Sequence, residues 1–216
     1  MKRHPRSYPR TDLPFLFKMH RSGPLFPTTQ PLLYDTKTKT CLHRDANCMI
    51  FADAFPKSAV HCLVVPVDRA LHSLNDLTAE HVALLDAMSS AAQKYSRFLK
   101  QASPKFARLK FIEGYHSLPS LPLLHLHLIS LDLDSECMNT RKHYNTFATN
   151  FFLPGDAVRR DLHLHGRVTI NQDVEHLEEL EKAPLTCLWC GEPFQQMPKL
   201  KQHLSTCSNN LALDPR

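Results

Sequence analysis

Leu123-Leu124-His125-Leu126-His127-Leu128-Ile129 is the stretch from which the fold of this chain is read. Successive side chains of a β-strand point to opposite faces at a rise of about 3.3 Å per residue, so His125 and His127 share one face, roughly 6 to 7 Å apart. Leu124, Leu126 and Leu128 share the other. Such a strand packs leucines into a core and shows two imidazoles to a cleft, where they can hold a phosphate, a metal ion or nothing. A second His-x-His, at His163 and His165, falls in a stretch that Asp156 can cap and Gly166 can end as a helix. On a helix those two side chains stand about 200° apart around the axis, so they read as surface residues.

Upstream, Thr40 to Arg44, Cys48 to Ala52 and Val60 to Val67 are short runs rich in branched residues, as in an antiparallel meander, with 53–57 as the bend between the last two. The clearest helix follows. Thr78 can cap it, Glu80 lies in its first turn, and Leu85, Met88, Ala92, Tyr95 and Leu99 form one apolar stripe that is core packing. Ser103-Pro104 ends it, and Phe106 to Ile112 alternates as a strand before Glu113-Gly114-Tyr115-His116. Residues 135–152 mix polar and aromatic side chains, as a loop or short helix over a cleft would. The fold class is α+β, an antiparallel sheet with packed helices and a small C-terminal module.

At 216 residues and 43% apolar the chain suffices for one such domain plus that module. The longest apolar runs, such as Cys62 to Val67, fall far short of the ~20 residues of a spanning helix. No membrane partner is expected, and the odd count of seven cysteines reads as reduced thiols in an intracellular protein. A net charge of +5 favours a polyanionic partner without specifying one. Residues 1–31 carry six basic side chains among prolines, as a flexible leader, a basic arm on a nucleic-acid backbone or a nuclear address.

Imidazole is a competent nucleophile toward phosphorus and titrates near neutral pH, so a phosphate held by several histidines invites covalent nucleotidyl transfer. His125, His127, His61 and His116 can supply a neutral nucleophile and groups that stabilise the phosphoryl oxygens. The rival is a zinc site on the same strand face. At the C-terminus Cys187 and Cys190, twelve residues, His203, three residues and Cys207 match the spacing of a ββα zinc finger whose last histidine is cysteine, with Phe194 and Leu200 at its small-core positions. Four ligands imply one structural zinc. Lys199, Lys201 and Gln202 suit DNA-backbone contact; the plainer reading of the finger is a folding staple.

The stretch from Asp53 through Lys57 to His61 and Leu63-Val64-Val65-Pro66 resembles the nucleotide-binding half of the histidine triad superfamily. Gly114-Tyr115-His116, Pro119-Ser120, His125 to Ser130, Lys142 to Asn145 and Gly166 to Thr169 ahead of a finger are similar to its aprataxin branch, over roughly residues 32–207. The resemblance implies a DNA-repair hydrolase that removes AMP from nicked or broken, 5′-adenylated DNA ends left by abortive ligation, through a histidine-AMP intermediate. It implies His125 as nucleophile, His127 and Ser120 as phosphate contacts, His61 as a further active-site histidine and His116 as proton donor to the departing DNA phosphate. It further implies Asp53 as a ribose contact and Lys142 and Lys57 as phosphate contacts.

The superfamily's first triad histidine falls at Leu123, on the face of His125 and His127. Leucine cannot hydrogen-bond, so the orienting contact of that position is expected to be missing. Another register makes His127 the middle residue and Ile129 the missing third; the Gly-Tyr-His and Pro-Ser anchors favour His125. The expected division is a leader at 1–31, a catalytic domain at 32–153, connecting helices at 154–183 and the finger at 184–216, without the N-terminal phosphopeptide-binding domain of larger members. A nuclear location, possible also in the cytoplasm, accompanies this reading. Two other functions stay open: a DNA-end-binding scaffold with a degenerate triad, and a hydrolase of dinucleotides or phosphoramidates. Protein partners are not specified.

Overall fold

The computed structural model describes residues 41–207 apart from Arg69, Asn171 and Gln172. The expectations on the leader at 1–31 and on the flanking stretches 32–40 and 208–216 lie outside the described residues. Six strands form one antiparallel sheet: β1 (Cys41–Arg44), β2 (Cys48–Ala52), β3 (His61–Pro66), β4 (Phe111–His116), β5 (Leu126–Ser130) and β6 (Phe152–Pro154), in the order β1-β2-β3-β5-β4-β6. β2, β3 and β5 are buried along their whole length, as expected for strands covered on both faces. The histidine run enters the sheet at Leu126, in its middle.

The leucines of that run face α1 (Val82–Ala102). Its stripe of Leu85, Met88, Ala92, Tyr95 and Leu99 is buried in one cluster with Ile50, Cys62, Val64, Leu124, Leu126 and Leu128. Thr78 lies at the N-cap of a single 3-10 turn, Ala79–His81, that leads into α1. The Nδ1 of His81 accepts the Thr78 amide at 3.0 Å, as an acidic side chain does in a capping box.

After α1 the structure departs from the expected strand at 106–112. Ser103 caps a short helix, α2 (Pro104–Ala107), whose proline is pre-set for a first helical position, and β4 starts only at Phe111. Glu113, Gly114, Tyr115 and His116 therefore lie within the sheet. α4 (Gly155–His165) packs Val158 and Leu162 against the same cluster and ends at Gly166 in the left-handed conformation. Asp156 sits in its first turn, and Pro154 takes the cap position. His163 and His165 are both exposed, as expected for surface residues.

The opposite face carries α3 (Arg141–Ala148), the helix over the cleft, and beneath it the C-terminal module. This module comprises β7 (Leu185–Thr186), β8 (Pro193–Phe194) and α6 (Met197–Thr206), reached through α5 (Val174–Lys182). Its core is continuous with the sheet: Ile129, Leu131, Met138, Tyr144, Phe147 and Phe152 share one cluster with Leu185, Trp189, Met197, Leu200 and Leu204. Tyr144 donates its hydroxyl to the Thr186 carbonyl at 2.9 Å and accepts the Leu188 amide at 3.0 Å. Asn145 donates to the Ala183 carbonyl at 2.8 Å and so anchors the segment after α5. Among the described residues no helix is long and apolar enough to cross a membrane.

Candidate active site and zinc centre

Strand order decides which histidines meet. On β5, His127 lies opposite Leu63 of β3 and Gly114 of β4, while His61 opens β3 opposite Ile129 and His116 closes β4 opposite Phe152 of β6. Three adjacent strands thus deliver imidazoles to one face, and His125 joins them from the residue before β5. Ring centroids are 4.2 Å apart for His116 and His127, 4.9 Å for His125 and His127, and 5.2 Å for His61 and His127. His61, His127 and His125 expose only 2%, 4% and 6% of their surface.

Close packing of the site depends on Gly114. A Cβ there would run into the Leu153 carbonyl and lie 2.6 Å from the Phe152 ring. Without it, Phe152 reaches His116 and His127, and Phe147 of α3 sets its ring against His61, His116 and His127 at 5.4, 4.7 and 5.5 Å. These phenylalanines exclude water from one side of the site. Nothing local in the sequence singles them out from other core aromatics.

Burial in this setting penalises the charged imidazole. It pulls His61 down to about 4, against the attraction of Asp53. His116 and His127 are held well below the usual histidine value by burial first and then by His125, His61 and Lys57, with His116 acting on His127 as well. His125 is lowered less, because the Leu123 carbonyl and Asp53 favour its charged form. All four are neutral near pH 7.

The hydrogen-bond network then assigns the protons of His61, His127 and His125. The Lys57 amide donates to His61 Nδ1 at 3.2 Å, so the His61 proton sits on Nε2. His61 Nε2 lies 2.9 Å from His127 Nδ1 and donates to it, which leaves the His127 proton on Nε2. That Nε2, like the Nε2 of His116, is buried with no hydrogen-bond partner among the described residues. A buried donor without a partner is costly, and an anion bound beside the His127 Nε2–H would satisfy it.

His125 is set differently. Its Nδ1 lies 2.6 Å from the Leu123 carbonyl, and a carbonyl only accepts, so Nδ1 carries the proton and Nε2 keeps its lone pair. This corrects the expectation that leucine at 123 removes the orienting contact: the main chain supplies it. The Leu123 side chain is buried with Met49, Phe51, Leu63 and Val65.

Asp53 lies at the rim, its Oδ2 3.8 Å from His61 Nε2 and its Oδ1 accepting the Phe55 amide at 2.7 Å. Asp53, His61 and His127 have ligand atoms within 4.8 Å of one another, but a metal there would break the His61–His127 hydrogen bond. The Lys57 ammonium lies close enough to depress His61, His116 and His127. Ser120 is exposed on the loop that leads to His125. Lys142 points elsewhere: its Nζ is 2.6 Å from Glu181 Oε2 on α5. Of the eight residues picked out in the sequence, six gather here, Ser120 borders them and Lys142 is held aside.

In the C-terminal module the ligand atoms of Cys187, Cys190, His203 and Cys207 lie within 4.8 Å of one another. Cys187 and Cys207 sulfurs are 4.0 Å apart, and Cys190 Sγ is 3.2 Å from His203 Nε2. A tetrahedral zinc with bonds of about 2.3 Å to sulfur and 2.0 Å to nitrogen asks for separations of about 3.5 to 3.8 Å, so the residues fit that ion. Gly191, at φ 77°, makes the turn after Cys190, and Glu192 Oε2 lies 3.4 Å from His203 Nδ1, which fixes the ring. Lys201 differs from expectation. It is 2.9 Å from both Asp134 Oδ1 and the Ser135 carbonyl, an internal strut in place of a free DNA contact; Lys199 and Gln202 are exposed.

Comparison with known proteins agrees with this architecture. Residues 28–143 match the family of the scavenger mRNA decapping enzyme C-terminal binding region, and residues 148–210 match the C2HE / C2H2 / C2HC zinc-binding finger family. Aprataxin of Gallus gallus is 38% identical over 77% of this chain and 50% of its own length; aprataxin of Danio rerio is 37% identical over 78% and 49%. The chain spans about half the length of these curated relatives. The crystal structure of the aprataxin ortholog Hnt3 in complex with DNA superposes with a TM-score of 0.63 at 27% identity, covering 78% of this chain and 86% of that one. With four histidines on one sheet face and a Cys3His finger fused to it, the chain belongs to the aprataxin branch of the histidine triad superfamily.

Proposed function

We propose that this protein is a nuclear DNA-repair hydrolase that removes AMP from the 5′ phosphate of adenylated DNA ends. The carrying observation is the neutral His125, whose Nδ1 proton is held by the Leu123 carbonyl beside two buried imidazole nitrogens that have no partner among the described residues. His125 Nε2 attacks the phosphorus of the adenylate; the N–P bond forms as the bond to the bridging oxygen of the DNA phosphate breaks. His127 Nε2–H and Lys57 stabilise the phosphoryl oxygens. The substrate's negative charge favours protonated His116, which gives its proton to the departing 5′ phosphate. Water then attacks phosphorus, the N–P bond breaks, and AMP leaves with His125 restored. Asp53 is suited to the ribose hydroxyls and Ser120 to a phosphate oxygen.

The finger holds one structural zinc when loaded: four ligands leave no open coordination position for chemistry. Its exposed Lys199 and Gln202 suit the DNA backbone, and the likeness to the Hnt3 ortholog crystallised in complex with DNA supports that partner. The main-chain contact of Leu123 argues against a degenerate triad.

Incubation with 5′-adenylated nicked DNA tests the reading. Wild type is expected to release AMP and to yield a trappable adenylyl-protein; His125→Ala is expected to do neither. Equal release by both would remove His125 as nucleophile. Comparable kcat/KM on a small dinucleotide would shift the substrate to that class.

A further inference from the structure

The Leu123 carbonyl can orient His125 only if its own peptide is held, and that hold comes from outside the sheet. Two contacts supply it. The Leu124 amide donates to the Leu71 carbonyl at 2.9 Å, and the His72 Nδ1 lies 3.0 Å from the Pro122 carbonyl. A carbonyl accepts only, so His72 Nδ1 carries a proton. Residues 121–123 form a bend just before β5. With the Pro122 carbonyl pinned by His72 and the Leu124 amide by Leu71, the carbonyl between them, that of Leu123, is held against His125 Nδ1.

The platform itself is anchored. Leu71 and Leu74 are buried in the main core. The Asp76 carboxylate accepts the amides of His72 and Ser73 at 2.8 Å each, and Ser73 caps the turn that follows. At its far end the loop is tied by Ser117, whose amide and hydroxyl donate to the Phe151 carbonyl at 2.9 and 3.0 Å. Between these ties runs the segment with Ser120. A narrow crevice lined by His72, Ser73, His116, Pro119, Leu123 and His125 shows that the clamp borders the approach to the site.

We infer that His72 is a positioning residue for the reaction: it clamps Pro122 so that the Leu123 carbonyl fixes the tautomer and orientation of His125. The inference rests on the proposed role of His125 as nucleophile. His72 touches neither the reacting atoms nor any of the four active-site imidazoles in its hydrogen bonds, so its effect passes through the loop. Its side chain is exposed, and its replacement leaves the core intact.

The test compares wild type, His72→Ala and His72→Asn, whose side-chain amide can donate from nearly the same place. In His72→Ala, kcat on adenylated DNA should fall about tenfold with KM little changed, and nitrogen-detected NMR should show His125 losing its single Nδ1–H tautomer. His72→Asn should restore both. An unchanged His125 signal in His72→Ala, or loss of activity that Asn does not restore, would overturn the clamp. If wild type releases no AMP yet the tautomer responds as described, the clamp stands and the enzymatic reading fails.

Discussion

His61 Nε2 lies 2.9 Å from His127 Nδ1, both rings buried, and burial keeps the site a line of neutral imidazoles in place of a positive cluster. Folding holds these groups uncharged, so the unfolded chain binds more protons between the folded value and the ordinary 6.5. Stability is then complete above about pH 6.5 and declines as pH falls toward about 4, where His61 itself takes up a proton. His61 alone accounts for on the order of 3 kcal/mol of that decline. Urea unfolding between pH 7 and 4 should show the slope, and His61→Asn should flatten it; equal slopes would contradict the assignment. The lowered His125 should also place the acid limb of kcat/KM below pH 6.5.

Zinc removal should reach the catalytic face. Trp189, Leu200 and Leu204 share a core with Ile129, Phe147 and Phe152, and the last two rings touch the histidines. Loss of the ion by chelation, or Cys190→Ser, is expected to cost about 3 kcal/mol or more, about 6–12 °C in Tm. It should lower hydrolysis of a small adenylate as well as of adenylated DNA. A variant with full small-adenylate activity and lost DNA activity would show the finger to be separable.

Gly114→Ala asks for space already filled by backbone. The Leu153 carbonyl cannot yield cheaply, so β6 must shift and carry Phe152 away from His116 and His127. A loss of about 2–3 kcal/mol is expected in urea melts, with reduced kcat. Wild-type stability would mean that β6 moves more freely than its pairing implies.

Lys142 cannot serve a phosphate while it is paired with Glu181. Glu181→Gln keeps shape and removes the charge, which should raise affinity for adenylated DNA about threefold at low salt, the gain shrinking as salt rises. Lys142→Ala should abolish that gain in the double variant. If Glu181→Gln binds no more tightly, Lys142 has no phosphate role.

Much was legible from residue order. The alternation around His125 and His127 gave the two sheet faces, and the stripe from Leu85 to Leu99 gave the main helix, since both follow from fixed backbone periods. The strand expected at 106–112 was misplaced because Ser103 and Pro104 favour a helical turn that alternation alone does not reveal.

The chain by itself determined the elements, the metal-ligand spacing and the histidines available, because those depend on near neighbours. Only tertiary structure decided that His61, His116 and His127 meet, that the Leu123 main chain replaces a missing side chain, and that Lys142 and Lys201 are already engaged. Strand order and the direction of a carbonyl are set by the packing of the whole chain, and no residue type encodes them.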